Sequence, residues 1–140
     1  MGWTPAGGAE GQSRGRVAVR KRVLVADDEE SLRDMASEVL TSAGYEVVVV
    51  AAGSEALERL TQGRFDLALL DEAMPGLTGR EVLLRLRATG SSVPALLWSG
   101  HASLTNQERV ELGVVAVVRK PVPVRVLEEI VRLALSRPDP

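Results

Sequence analysis

The sequence predicts an α/β fold, a doubly wound parallel sheet of five strands covered by five helices. Three observations carry this. Short apolar runs alternate with stretches of helical periodicity, the runs are nearly continuous in apolar character, and polar or charged residues follow four of them directly. Strands of a parallel sheet lie between two helix layers, which is why they read as unbroken apolar runs. Regular alternation of strand and helix implies right-handed crossovers and a doubly wound sheet.

The 140-residue chain begins with a segment of different character. Residues Met1 to Arg20 are rich in Gly, Ala and Arg, and apart from Met1 only Trp3 is large and apolar before Val17. Residues 1–21 therefore read as a flexible arm. Its basic cluster (Arg14, Arg16, Arg20, Lys21, Arg22) reads as solvated charge beside the first strand, more simply than as a docking site for an acidic partner.

Val23-Leu24-Val25-Ala26 is the first strand. A helix face follows at Leu32, Met35, Ala36, Val39, Leu40 and Ala43, with Gly44 placed to end it. Val47 to Val50 is the second strand and Ala56 to Leu60 a shorter helix. After the third strand, Leu67 to Leu70, Thr78 and Glu81 form a capping-box pattern ahead of Val82, Leu83 and Leu86. Ala95 to Trp98 is the fourth strand. The stretch Ser103 to Leu112 is the weakest helix, because Leu104, Val110 and Leu112 are poorly phased. Val114 to Val118 is the fifth strand, and Pro123 suits the first turn of a last helix with Leu127, Ile130, Val131, Ala134 and Leu135 on its face. The domain is expected to span 22–136, with a short tail at 137–140.

Composition narrows the function. Hydrophobic residues at 45% and charged residues at 26% describe a soluble globular chain. A net charge of -2 argues against coating nucleic acid, and 3% aromatics offer no stacking platform for bases. The absence of cysteine excludes disulfides and thiolate metal sites and agrees with a cytoplasmic location. No apolar run approaches the ~20 residues of a membrane span. The N-terminus has no apolar signal core, and Ala6 stands where myristoylation requires Ser or Thr. Neither membrane insertion nor direct nucleic-acid contact is expected.

Ligands of doubly wound sheets bind outside the carboxyl ends of the strands. Asp27-Asp28 stand there after the first strand, Asp71 after the third, Ser99-Gly100 after the fourth and Arg119-Lys120-Pro121 after the fifth. Carboxylates brought this close repel, and burial would raise their pKa values. A hard divalent cation such as Mg²⁺ would hold them ionised, and Lys120 adds a second positive charge. Such a set around one carboxylate suits binding of phosphoryl oxygens and in-line transfer. An aspartate acceptor gives an acyl phosphate. Asp71 is not the cap of the next helix, since Gly76, Thr78 and Gly79 form a loop between them. Asp28 with Glu29 and Glu30 would, taken alone, read as acids favouring a helix N-terminus. Lys120 is one of only two lysines, and a compact point charge suits phosphoryl contact.

Four motifs in order, Val-Leu-Val-Ala-Asp27-Asp28-Glu29, Leu-Leu-Asp71-Glu-Ala-Met74-Pro75-Gly76-Leu-Thr-Gly79, Leu-Trp-Ser99-Gly100 and Arg-Lys120-Pro121, resemble the receiver domain of two-component response regulators. The resemblance covers about Arg22 to Ser136 and implies a flavodoxin-like strand order 2-1-3-4-5. By position it implies that Asp71 is phosphorylated and that Asp28, Asp71 and the backbone carbonyl of Ala73 ligate Mg²⁺, with Asp27 acting through a water. Lys120 would contact the phosphoryl group, the Ser99 hydroxyl would move onto a phosphoryl oxygen after transfer, and Gly100 would keep the approach open. The Lys120–Pro121 bond is expected to be cis. His101 and Ala73 match positions that flank the acyl phosphate and influence its hydrolysis, although an exposed loop histidine is the plainer reading of His101. Val117 replaces the Tyr or Phe that many receivers carry three residues before the lysine. Without that aromatic, signalling is expected to run through Ser99 and its loop.

The resemblance implies a donor, either a histidine kinase or a histidine phosphotransfer protein, and a downstream protein that reads the phosphorylated state. Only Arg-Pro-Asp-Pro follows Ser136, so the expected output is a protein contact, a phosphorelay step or a phosphate sink rather than turnover by an enzyme. The alternative is a Mg²⁺-dependent aspartyl-phosphate phosphatase or phosphotransferase acting on a small substrate. Such enzymes usually place a second Asp two residues after the first, where Ala73 stands here. A nucleotide site is disfavoured because no Gly-rich turn follows Val25-Ala26-Asp27. A docking module that is never phosphorylated would be expected to lack one of the acids, and none is missing.

Overall fold

The apolar runs become strands β1 (Arg22–Ala26), β2 (Glu46–Val50), β3 (Leu67–Asp71), β4 (Ala95–Ser99) and β5 (Val114–Arg119) in a computed structural model that describes residues 20–100 and 104–136. Most of the N-terminal arm, His101 and the tail lie outside the described residues. The strands pair in parallel in the order β2-β1-β3-β4-β5, as the resemblance implies. Helices α1 (Glu30–Ser42), α2 (Gly53–Gln62), α3 (Gly79–Ala88), α4 (Asn106–Leu112) and α5 (Val124–Leu135) fill the connections.

The pleat sends alternate residues to opposite faces of the sheet. Leu24, Ala26, Ala68, Leu70 and Leu97 pack with buried residues of α2, α3 and α4 on one side. Val23, Val25, Leu67, Leu69, Leu96 and Trp98 pack with α1 and α5 on the other. Every residue of β3 and β4 is buried, as unbroken apolar runs predict. The valine run of β2 is different. It forms an edge of the sheet, with Val47 and Val48 half-buried and Val49 38% exposed, because the flanking helices cover an outer strand incompletely.

The helix boundaries follow local chemistry. Thr78 and Glu81 make the predicted capping box at α3, with Thr78 Oγ1 accepting from the Glu81 N–H at 3.1 Å and Glu81 Oε1 from the Thr78 N–H at 2.9 Å. Thr105 and Glu108 repeat the device at α4. That helix is short and buries Leu112, whereas Val110 is 82% exposed, which accounts for its poor apolar phasing. Three expectations shift at the ends. Ala43 lies just beyond α1 and is exposed, because the chain turns there through Gly44 at φ +101°. Helix α2 extends well past Ala56–Leu60, and Pro123 caps α5 rather than entering its first turn.

Gly79 lets α3 start directly against the end of β3. A Cβ there would lie 2.6 Å from the Asp71 carbonyl oxygen and 2.7 Å from Leu97 Cδ1. Gly79→Ala is therefore expected to lower stability by about 1–3 kcal/mol through overpacking. Urea unfolding measures this, and an unchanged midpoint would mean that the helix can withdraw freely. No helix among the described residues is long and apolar enough to cross a membrane.

Candidate functional site

Strand alternation brings the site together. Val25 and Leu69 face the α1 and α5 layer, so Asp27 and Asp71, each two residues further on, continue on that face at the carboxyl end of the sheet. Asp71 is the last residue of β3 and Ser99 the last of β4, rather than residues beyond them. Asp27, Asp71 and Ser99 are buried, whereas Asp28 is exposed at the start of the loop into α1. One carboxylate oxygen from each of Asp27, Asp28 and Asp71 lies within 4.8 Å of the others.

Each buried acid is held by more than one contact. Asp27 Oδ1 accepts from the Glu29 N–H at 2.8 Å, which fixes the chain as it enters α1, and its Oδ2 accepts from Lys120 Nζ at 2.7 Å. Arg33, one turn into α1, donates from Nη1 to the Asp27 backbone carbonyl at 2.9 Å. Asp71 Oδ1 accepts from the Ala73 N–H at 3.2 Å, and its Oδ2 lies 3.3 Å from Lys120 Nζ. Lys120 is anchored in turn by its backbone N–H, which donates to the Ser99 carbonyl at 3.2 Å, and the Lys120–Pro121 bond is cis as expected. Arg119 Nη1 donates to the Gly100 carbonyl at 2.7 Å, tying the loop after β4 to the end of β5.

These contacts leave an unbalanced cluster. Burial pushes the Asp71 carboxyl above its ordinary value and the charge of Asp27 adds to this, while the Ala73 N–H and Lys120 pull it down without cancelling the rise. Burial also pulls the Lys120 ammonium down, but the hydrogen bond and charge of Asp27, joined by Asp71, outweigh it and hold Lys120 above its usual value. Three acids converge at this edge, the Lys120 ammonium pairs with two of them, and their donor atoms are hard oxygens. That set fits a small divalent cation such as Mg²⁺.

Asp27, Asp28, Asp71 and Lys120 meet as the sequence predicts, with Ser99 joined to Lys120 through the backbone. Ala73 reaches Asp71 through its N–H. A Cβ at Gly100 would meet nothing within 4 Å among the described residues. Val117 is half-buried and packs against the α2, α3 and α4 layer. Sequence reasoning missed Arg33, whose role depends on a backbone carbonyl, and Trp98, whose ring lies beneath Lys120. It also missed the link from Glu72, beside Asp71, through Arg80 to Glu108 on α4, in which Arg80 Nη1 lies 2.8 Å from Glu108 Oε2.

Comparisons with known proteins agree with this geometry. Residues 23–132 match the response regulator receiver domain. The chain is 32% identical over 104 residues to sporulation initiation phosphotransferase F of Bacillus subtilis, covering 74% of this chain and 84% of that protein. It is 37% identical over 116 residues to sensory transduction protein RegX3 of Mycolicibacterium smegmatis, covering 82% of this chain and 50% of that one. Response regulator TrrA of Thermotoga maritima, solved in complex with Mg(2+)-BeF, is 31% identical with a TM-score of 0.72, over 82% of this chain and 99% of that one. The chain spans about half the length of RegX3 and of several other curated relatives it matches. A parallel sheet in this order, an acid cluster with a lysine at its carboxyl end and a family match across most of the chain agree, and the chain belongs to the response regulator receiver domain family.

Proposed function

We propose that this domain accepts a phosphoryl group on Asp71 and signals through a protein contact or a phosphorelay step. The observation that carries the reading is a buried Asp71 carboxylate set among two further acids and 3.3 Å from the Lys120 ammonium. Asp28, Asp71 and the Ala73 carbonyl would hold Mg²⁺ directly, and Asp27 would act through a water. When bound, the ion neutralises the acids and the oxygens of the incoming phosphoryl group. Asp71 attacks phosphorus as the bond to the donor breaks, and Lys120 gives its ammonium to a phosphoryl oxygen. Ser99 turns its hydroxyl to another phosphoryl oxygen, and Gly100 leaves the approach free. Ala73, next but one to Asp71, tunes the lifetime of the acyl phosphate, and the resemblance assigns the same role to His101, which lies outside the described residues.

The donor is a histidine kinase or a histidine phosphotransfer protein, and the receiver unit is 22–136, preceded by the arm and followed by the tail, in the cytoplasm. The name of sporulation initiation phosphotransferase F supports a relay role, and the Mg(2+)-BeF complex of TrrA supports the metal. A phosphatase acting on a small substrate has less support. A cavity of about 760 Å³ opens at the amino ends of the strands, lined by Lys21, Phe65, Asp66, Ser91 and Pro94 among others, and Asp27, Asp28 and Asp71 do not border it.

Incubation with acetyl phosphate and Mg²⁺, followed by intact mass, tests the proposal. One phosphoryl adduct that a chelator abolishes is the expected result, while steady turnover of a small phosphoester with no adduct would sink it. The metal site has its own test. Mg²⁺ at one hundred times its dissociation constant should stabilise the wild type by about 2.7 kcal/mol. Asp28→Asn should lose most of that gain in thermal unfolding, and an equal gain in the variant would remove Asp28 from the metal site.

A further inference from the structure

Trp98 stands in the same cross-strand row as Asp71. Asp71 and Trp98 are direct partners across β3 and β4, and Trp98 pairs with Val118 across β4 and β5. Alternation along β5 then carries Lys120, two residues beyond Val118, onto the same face. The indole is fully buried in the layer with α1 and α5. A buried indole N–H usually finds an acceptor, yet Trp98 Nε1 has none among the described residues. Among the described residues the ring is seated by packing alone, and it presents its face to the site. Lys120 Nζ lies over that face, 5.3 Å from the ring centroid.

We propose that Trp98 is a positioning residue for Lys120, its indole face holding the ammonium above the Asp27–Asp71 pair where a phosphoryl oxygen arrives. The proposal rests on the reading of Asp71 as acceptor and Lys120 as its phosphoryl contact. In the present arrangement the ammonium points at Asp27 (2.7 Å) and Asp71 (3.3 Å). Once Asp71 carries a phosphoryl group, the ammonium must turn to a new oxygen without leaving the edge of the sheet. A lysine stem is flexible and its three N–H donors rotate freely. A polar wall would claim one of those donors. An aromatic face attracts the cation and claims none, and among side chains tryptophan does this best. The indole therefore restricts where the ammonium sits and leaves its hydrogen bonds for oxygen.

Two measurements test this. In unphosphorylated, metal-free protein the ring current of Trp98 should move the ε-methylene protons of Lys120 upfield. The chain has only two lysines, and exposed Lys21 serves as the internal reference. Trp98→Leu should abolish the displacement and Trp98→Phe should keep part of it. The second measurement is phosphorylation of Asp71 by acetyl phosphate, expected to be roughly tenfold slower in Trp98→Leu and largely restored in Trp98→Phe. In a Lys120→Met background, Trp98→Leu should change the residual rate by less than about twofold, because the contact is already gone.

A purely structural tryptophan would slow both backgrounds alike, and that result overturns the proposal. So do wild-type Lys120 protons that coincide with those of Lys21. Should Trp98→Leu fail to fold, the wild-type shift and the Trp98→Phe rate still decide the matter. A wild type that takes no phosphoryl group overturns the acceptor reading and this role with it. A normal wild-type adduct with an unchanged Trp98→Leu rate overturns only the role of Trp98.

Discussion

Asp71→Asn is expected to take no phosphoryl group under conditions that label the wild type, and to be more stable than the wild type at neutral pH without divalent cations. The first effect follows from loss of the acceptor oxygen. The second follows from electrostatics. Burial raises the Asp71 pKa and Asp27 adds to the rise, while the Ala73 N–H and Lys120 offset only part of it. An acid whose pKa is higher folded than unfolded binds its proton more tightly in the folded state. The stability that this provides is complete below the unfolded value, about 3.9, and is lost as pH rises through the folded value. At neutral pH the Asp71 carboxylate therefore costs stability, and a neutral Asn does not. Lys120 keeps Asp27 at 2.7 Å in the variant, so its charge is not stranded.

Denaturant titrations at neutral and acidic pH read this directly. The advantage of Asp71→Asn should shrink toward the acid end, where the wild-type carboxyl is protonated. Saturating Mg²⁺ should reverse the order at neutral pH, because only the wild type offers the cation its full set of acids. A variant less stable than the wild type in chelator would mean that the pair with Lys120 outweighs the burial of Asp71.

The inner strands were legible because burial on both faces leaves an unbroken apolar signature, and β3 and β4 show it at every position. The valines of β2 carry the same signature at an edge, so composition alone could not separate inner from outer strands. The acids and Lys120 were legible because strand ends fix which edge they share. What lies between them was not. The contacts of Trp98 with Lys120, of Arg33 with the Asp27 carbonyl and of Arg80 with Glu108 depend on how separate elements pack. Periodicity names a face but not the partner across it. The capping pattern of Thr105 and Glu108 was present in the sequence, masked by the exposed Val110 and the shortness of α4.

Lys120→Met should produce the other large effect, a loss of about 3–5 kcal/mol in stability at neutral pH in chelator, since removing one partner strands buried charge. The lysine side chain is 19% exposed and bridges Asp27 and Asp71, both almost wholly buried, so the two carboxylates depend on it as their shared counter-charge. Burial lowers the Lys120 pKa, but Asp27 first and Asp71 next raise it by more. Its stabilisation is therefore complete below the unfolded lysine value, about 10.4, and is lost only as pH rises through the folded value. The penalty of the variant should persist across neutral pH and shrink in acid, where the stranded carboxyls take up protons. Phosphorylation by acetyl phosphate should slow by about 10²–10³-fold, the typical cost of removing a preorganised charge donor. Mg²⁺ separates the two effects. It neutralises the same acids and should recover much of the stability, yet it should leave the rate low, because Lys120 acts on a phosphoryl oxygen as a second, separate charge. Lys120→Arg sharpens the distinction, since it keeps the charge and most of the stability but replaces a compact ammonium with a planar fork. If Mg²⁺ restored the rate of Lys120→Met along with its stability, the lysine would be a counterion for the acids and nothing more.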